Sequence, residues 1–277
     1  MLSKRPLGLQ VHEYVIEAPE IARAAKAGQF IVLRLHDKGE RIPLTISDRD
    51  PATGTVTIVV QEVGKTTREM GDRFQAGDSV LDFVGPLGIP SEIDNYGEVI
   101  CVGGGVGIAV IYPIAHALNE AGNRVIGIIG ARSKERLIYV DKMQSVCDEL
   151  HIVTDDGSAG RKGFTSDPLR EILASNGGID RVWVIGPTIM MKVCSDITRE
   201  FAVPTIVSLN SIMIDGTGMC GGCRVEVDGD AKFACVDGPE FDGHKVNFDL
   251  LMERQSFYAE EERLALERYV DSRKGRD

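Results

Sequence analysis

The alternation of apolar and polar positions changes character along the chain, and the changes divide it. Over roughly the first 95 residues, short β-branched runs such as 29–35 and 55–63 partly alternate, and Pro43, Asp50-Pro51, Gly54, Gly77-Asp78 and Gly85-Pro86 punctuate them. Several short strands at such spacing predict a small antiparallel barrel. From residue 96 strand and helix take turns. An apolar strand at 99–102 leads through glycines into a helical run at 108–121 closed by Gly122. A strand at 124–130, a helix within 134–149, a strand at 151–154, a helix near 167–174 and a strand at 181–185 follow. That rhythm predicts a parallel sheet with crossover helices. Near residue 208 it breaks into a glycine- and cysteine-rich segment, and the last 25 or so residues, including 258–268, predict one exposed amphipathic helix. The expected fold is a multidomain α+β chain: an antiparallel β-barrel over 1–95, a parallel α/β nucleotide-binding domain over 96–207, a small cluster-binding segment over 208–248 and a C-terminal helix over 249–277. The apolar Met252, Phe257, Leu264 and Leu266 suit that helix either to dock on a partner or to pack back on its own chain.

Composition narrows the function. A net charge of −11 over 277 residues excludes a nucleic-acid partner, since phosphate binding needs a basic face. No Asp, Glu, Lys or Arg lies between Glu98 and Glu120, a length that would span a bilayer. Gly103, Gly104, Gly105, Gly107 and Pro113 fall within it, so a buried strand, a glycine turn and a helix are expected instead of a membrane span. The first six residues lack the apolar run of a secretory signal, and a soluble, cytoplasmic protein is expected.

Six cysteines sharpen the chemistry. Cys101, Cys147 and Cys194 sit in apolar segments and read as packed thiols. Cys220 and Cys223 follow Asp215, and Cys235 comes after eleven intervening residues, giving Asp-x4-Cys-x2-Cys-x11-Cys. The plant-type [2Fe–2S] pattern is Cys-x4-Cys-x2-Cys with a distal cysteine, so Asp215 stands at the first ligand position. Glycines at 216, 218, 221 and 222 let the loop wrap closely and turn its amides toward sulfide. A zinc knuckle of Cys220, Cys223, Cys235 and His244, in a non-redox assembly subunit, is the competing reading.

The glycines at 103, 104, 105 and 107 occupy a strand-to-helix turn, where backbone amides and a helix N-terminus suit a pyrophosphate. The strict G-x-G-x-x-G fingerprint is absent, because Ile108 holds its last position. A nicotinamide delivers two electrons at once and a [2Fe–2S] cluster takes one, so a flavin between them is the expected carrier.

Taken together, the order barrel, nucleotide domain and cluster segment resembles the ferredoxin–NADP reductase superfamily over essentially the whole chain. Within it, 208–223 and 233–243 are most similar to the small subunits of NADH-dependent reduced ferredoxin:NADP oxidoreductases, relatives of sulfide dehydrogenase β subunits and dihydroorotate dehydrogenase electron-transfer subunits. Aspartate as first ligand sets this branch apart from the dihydroorotate branch, which carries four cysteines. The resemblance implies FAD held by Arg41 at the pyrophosphate, by Pro43, Leu44, Thr45 and Ser47 along the flavin, and by Gly64, Thr66 and Thr67 at the phosphates, with Arg41 one residue earlier than the family's usual arginine. It implies NAD(H) held by Gly103, Gly104, Gly105 and Gly107, with Arg132, Asp155 and Asp156 on the nucleotide side and Gly186 and Pro187 beside the nicotinamide. The run Arg132, Ser133, Lys134, Arg136 would instead suit the 2′-phosphate of NADP(H). It further implies electron transfer to a larger flavin and iron–sulfur oxidoreductase subunit in an electron-bifurcating complex, or alternatively to a dihydroorotate or sulfide dehydrogenase partner. No acid or base catalyst is expected.

Overall fold

The computed structural model describes residues 1–175 and 177–274. Six strands form the first sheet: β1 (Ser3–Gly8), β2 (Val11–Glu17), β3 (Phe30–Arg34), β4 (Ile42–Asp50), β5 (Thr55–Gln61) and β6 (Asp82–Leu87). Their order is β1-β2-β5-β4-β3-β6, antiparallel throughout. Two helices accompany them, α1 (Pro19–Ala24) and α2 (Lys65–Arg73). One core gathers Tyr14, Ile16, Ile31, Leu33, Ile46, Val56 and Ile58 with Met70 of α2. Among the described residues no ladder joins β1 to β6, so the expected barrel is not closed by hydrogen bonds.

The second sheet comprises β7 (Glu98–Gly104), β8 (Arg124–Ala131), β9 (Glu149–Thr154), β10 (Arg161–Lys162), β11 (Ile179–Ile185), β12 (Thr205–Ser208) and, further on, β15 (Glu240–Asp242), in the order β10-β9-β8-β7-β11-β12-β15. All pairings are parallel except that of β12 with β15. Val99, Ile100, Cys101 and Val102 are fully buried because helices cover both faces, which is why β7 reads as an unbroken apolar run. The helices are α3 (Gly107–Glu120), α4 (Val140–Val146), α5 (Ser166–Ser175) and α6 (Thr188–Glu200). On α3, Ile108, Ile111, Ile114, Ala115 and Leu118 recur at helical spacing and form the buried stripe. The helix expected within 134–149 is shorter: a 3₁₀ turn at Lys134–Arg136, then α4.

After β12 come a hairpin, β13 (Arg224–Val227) with β14 (Asp230–Phe233), then β15, α7 (Phe248–Gln255) and α8 (Ala259–Lys274). The cluster-bearing segment is wedged between the two sheets. Phe30 and Val32 of β3 pack against the core that holds Cys223 and Cys235, while Ile31 and Leu33 face the first core. The period of two thus buries both faces of one strand. Glu240 of β15 joins the parts from the other side, its carboxylate accepting from the Ser91 hydroxyl at 2.5 Å with the Trp183 indole beside it. Burial pushes this carboxyl up to about 7.

The single C-terminal helix expected from the sequence is two. Ser256 caps α7, its amide bonding back to Met252 and Glu253, and α8 turns to lie along α2. There the Tyr269 hydroxyl donates to Asp72 at 3.3 Å and Arg273 stands 3.9 Å from the same carboxylate. Phe257, in the bend, remains 74% exposed. No helix of the described residues is long and apolar enough to cross a membrane.

Candidate functional site

The parallel sheet reverses its order at β7, with β8 on one side and β11 on the other. Connections leaving the carboxyl ends of these strands diverge there, and such a switch point opens a crevice. A cavity of about 1020 Å³ fills it, walled by the glycine turn, β4, the loop after β11 and the segment after β12.

Gly104, Gly105 and Gly107 line the turn. Gly105 has φ +58° with open space where a Cβ would stand, and its amide donates to Gly130 at 2.8 Å. A Cβ on Gly107 would overlap the Ile185 carbonyl, so only glycine lets α3 start this close to the end of β11. Gly103 does not reach the cavity; it lies within β7 beneath Ile108. The turn and the N-terminus of a 14-residue helix together offer amides to a pyrophosphate.

Arg132 and Asp155 line the cavity, joined by Arg136 and by Phe164, which is 64% exposed. Asp156 is turned away: its carboxylate accepts from the amide and hydroxyl of Ser158 at 2.9 and 2.6 Å, which holds it below the usual carboxylate range. The structure therefore brings one of the two aspartates to the site. Gly186 and Pro187 line it together with Met190.

On the barrel side Pro43, Leu44 and Thr45, consecutive on β4, form an apolar wall with one hydroxyl. Arg41 stands off the cavity, half exposed, 3.8 Å from Asp82. Ser47 is buried and its hydroxyl donates to the Tyr139 hydroxyl at 3.2 Å, away from the lining. Gly64 begins α2, next to the lining residue Val63, and has nothing within 4 Å of a notional Cβ. The Val63 and Gly64 amides donate to the Thr67 hydroxyl at 3.0 Å, and the Thr66 hydroxyl donates to Glu40 at 2.5 Å. An apolar wall beside a helix start with an open glycine fits a flavin ring and its phosphates.

In the cluster segment the Cys223 and Cys235 sulfurs are buried and lie 3.2 Å apart. Burial pushes the Cys235 thiol up to about 12, so iron binding would have to displace its proton to solvent to give the thiolate ligand. Cys220 is exposed and accepts from the Gly222 amide at 3.5 Å. Asp215 accepts the amides of Thr217 and Cys220, each at 2.6 Å, which lower its proton affinity. Gly216, Gly218 and Gly221 all take the left-handed φ that wraps the loop. Among the described residues no three carboxylate, imidazole or thiol side chains stand at metal-binding separation. His244 is committed to the Thr198 hydroxyl at 2.9 Å and does not join the cysteines, which removes the fourth ligand of the zinc alternative. Two clustered buried sulfurs, one exposed sulfur and a carboxylate on an amide-rich loop fit a [2Fe–2S] cluster.

Sequence reasoning named Arg136 in the basic run but missed Phe164 and the wall formed by Ser208, Leu209, Asn210 and Ser211. No glycine or charge marks that wall; the one signal was its position directly after a short strand next to the cysteines.

Comparison with known proteins gives the following. A family profile for the iron–sulfur cluster binding domain of dihydroorotate dehydrogenase B matches residues 210–247. A Thermotoga maritima protein, the homolog of the dihydroorotate dehydrogenase B (NAD(+)) electron transfer subunit, is 52% identical over 98% of this chain and 95% of its own length. A probable subunit of the same kind from Methanocaldococcus jannaschii is 33% identical over 88% of this chain and 93% of its own. Among solved structures, a chain of the NADH-dependent reduced ferredoxin–NADP oxidoreductase, described for flavin-based electron bifurcation, superposes with a TM-score of 0.92 at 50% identity, covering 98% of this chain and 97% of that one.

Proposed function

We propose a function from one premise: the chain belongs to the family of electron-transfer subunits that includes that of dihydroorotate dehydrogenase B. It passes electrons between a nicotinamide dinucleotide, FAD and a [2Fe–2S] cluster, to or from a larger flavin and iron–sulfur subunit, in a flavin-based bifurcating NADH/ferredoxin/NADP oxidoreductase of the cytoplasm. The observation that carries this reading is the single cavity bounded at once by the barrel wall, the glycine turn and the segment leading into the cysteines. FAD, when bound, supplies the step from a two-electron hydride to the single electrons that an iron–sulfur cluster accepts.

The chain's own residues position and tune. Residues 1–95 hold the flavin, with Pro43, Leu44 and Thr45 along the ring and Gly64, Thr66 and Thr67 at the phosphates. Residues 96–207 hold the nucleotide, its pyrophosphate over Gly104, Gly105 and Gly107, its ribose near Asp155 and its nicotinamide beside Gly186 and Pro187. Residues 208–248 hold the cluster through Asp215, Cys220, Cys223 and Cys235, and α7 and α8 brace the whole. Reactivity comes from proximity and burial, so no acid or base is required. The donor is NADH, and Arg132, which lines the cavity, is the side chain that would meet a 2′-phosphate if NADP(H) bound instead. The names of the curated relatives support a second partner, a dihydroorotate dehydrogenase.

Anaerobically purified chain should contain FAD, iron and sulfide in the ratio of one flavin to one two-iron cluster, and NADH should bleach the flavin much faster than NADPH. Stoichiometric zinc without flavin would end the reading. A preference for NADPH that collapses in Arg132→Ala would reverse the nucleotide assignment. Identifying the chain that co-purifies with the native protein decides between the two partners.

A further inference from the structure

One wall of the cavity is held from behind. Asn210 lines the cavity, whereas Thr188 and Gln255 do not. The Gln255 side-chain amide donates to the Asn210 backbone carbonyl at 3.0 Å and to the Asn210 side-chain oxygen at 2.8 Å. The backbone carbonyl can only accept, so the Gln255 atom facing it must be Nε2 and the Asn210 atom beside it must be Oδ1. The Thr188 hydroxyl, 2.8 Å from Gln255 Oε1 and 3.0 Å from Asn210 Oδ1, completes the lock. Every contact therefore falls on the oxygen of Asn210. Among the described residues its two Nδ2 hydrogens have no acceptor. Next to it Ser211, also in the cavity wall, is buried with an unpartnered hydroxyl.

We propose that Asn210 reads the carboxamide of the nicotinamide, donating from Nδ2 to the carboxamide oxygen, and that Gln255 of α7 is its positioning residue. This deepens the nicotinamide reading above and rests on it. The location agrees: Asn210 shares the cavity with Gly186, Pro187 and Met190 on one side and with Leu44 and Thr45 on the other. An apolar ring with one polar substituent needs a donor at the edge of such a slot, and an amide whose orientation is already fixed loses little freedom on binding. The lock also explains why a helix beyond the cluster segment reaches back to the start of α6.

The test is equilibrium binding to the FAD- and cluster-loaded chain of two probes. Tetrahydro-NAD keeps the carboxamide and cannot deliver hydride; ADP-ribose lacks the nicotinamide altogether. Asn210→Ala should weaken tetrahydro-NAD roughly 3- to 10-fold, the range of one hydrogen bond, and leave ADP-ribose unchanged. Gln255→Ala should act in the same direction, and the double variant should be no worse than Asn210→Ala, because Gln255 acts only through Asn210. Equal loss for both probes, no loss for either, or full additivity in the double variant would overturn the proposal. Failure of the unmodified chain to bind ADP-ribose or tetrahydro-NAD would instead remove the nicotinamide reading, and this inference with it.

Discussion

At the scale of single residues, the sharpest expectation concerns Asp215. Its carboxylate takes two amides of the cysteine loop, five residues before Cys220, where the plant-type pattern has its first ligand. Asp215→Cys should keep a cluster with a shifted spectrum and potential, because thiolate gives more charge to iron than carboxylate does. Asp215→Ala should leave it labile; an unaltered spectrum in the alanine variant would show that Asp215 is no ligand. Glu240 makes a different prediction. Its folded value of about 7 lies above the ordinary 4.5, so the fold favours the protonated form. The stability this group lends is complete below about pH 4.5 and is lost as pH rises through about 7, on the order of 3 kcal/mol. Glu240→Gln should flatten the pH dependence of the melting temperature between those limits and raise stability above pH 7; parallel curves would refute it. The candidate ligand spacing was legible at this scale because spacing is written in the chain. Glu240 was not, since its burial depends on Ser91 and Trp183, far away in sequence.

Among the elements, periodicity located the strands and α3, whose signals are local. It failed at the C-terminus, where a continuous polar–apolar pattern conceals the break at Ser256. Only the geometry shows that α8 lies along α2, the helix that starts at Gly64. A docking role for the tail thus competes with a bracing one, and α2 is the element it braces. Truncation after Gln255 should lower the FAD retained after gel filtration by about half or more, while partner assembly persists. Full flavin content with lost assembly would restore the docking role. The barrel was legible as strands but not as an open ladder, because whether β1 and β6, the two edges of the sheet, meet depends on how the whole sheet curls and not on local pattern.

On the scale of the whole molecule, the barrel and the nucleotide sheet meet through Tyr139. Its hydroxyl donates to Glu13 at 2.7 Å while accepting from Ser47, and Lys142 lies 4.4 Å from its ring centroid. Tyr139→Phe should cost about 1–3 kcal/mol by leaving buried Glu13 short of a donor, read as a lower melting temperature with an unchanged cluster spectrum. An unchanged melting temperature would show that the joint does not depend on the Tyr139 hydroxyl, leaving the Lys142–Asp48 ion pair at 3.1 Å and packing to hold it. Nothing in the sequence marks this joint, since serine and tyrosine in separate segments carry no spacing signal. The order of the parallel sheet has one more consequence. Its outermost strand, β15, comes from the cluster segment and pairs antiparallel with β12, about 30 residues earlier in the chain. During synthesis β12 therefore leaves the ribosome with an unpaired edge, and at ordinary elongation rates that edge stays open for a few seconds. The strand that covers it arrives only after all three cysteines have been made, so a nascent chain whose cysteine loop collapses wrongly leaves a sticky ribbon exposed and becomes a substrate for chaperones.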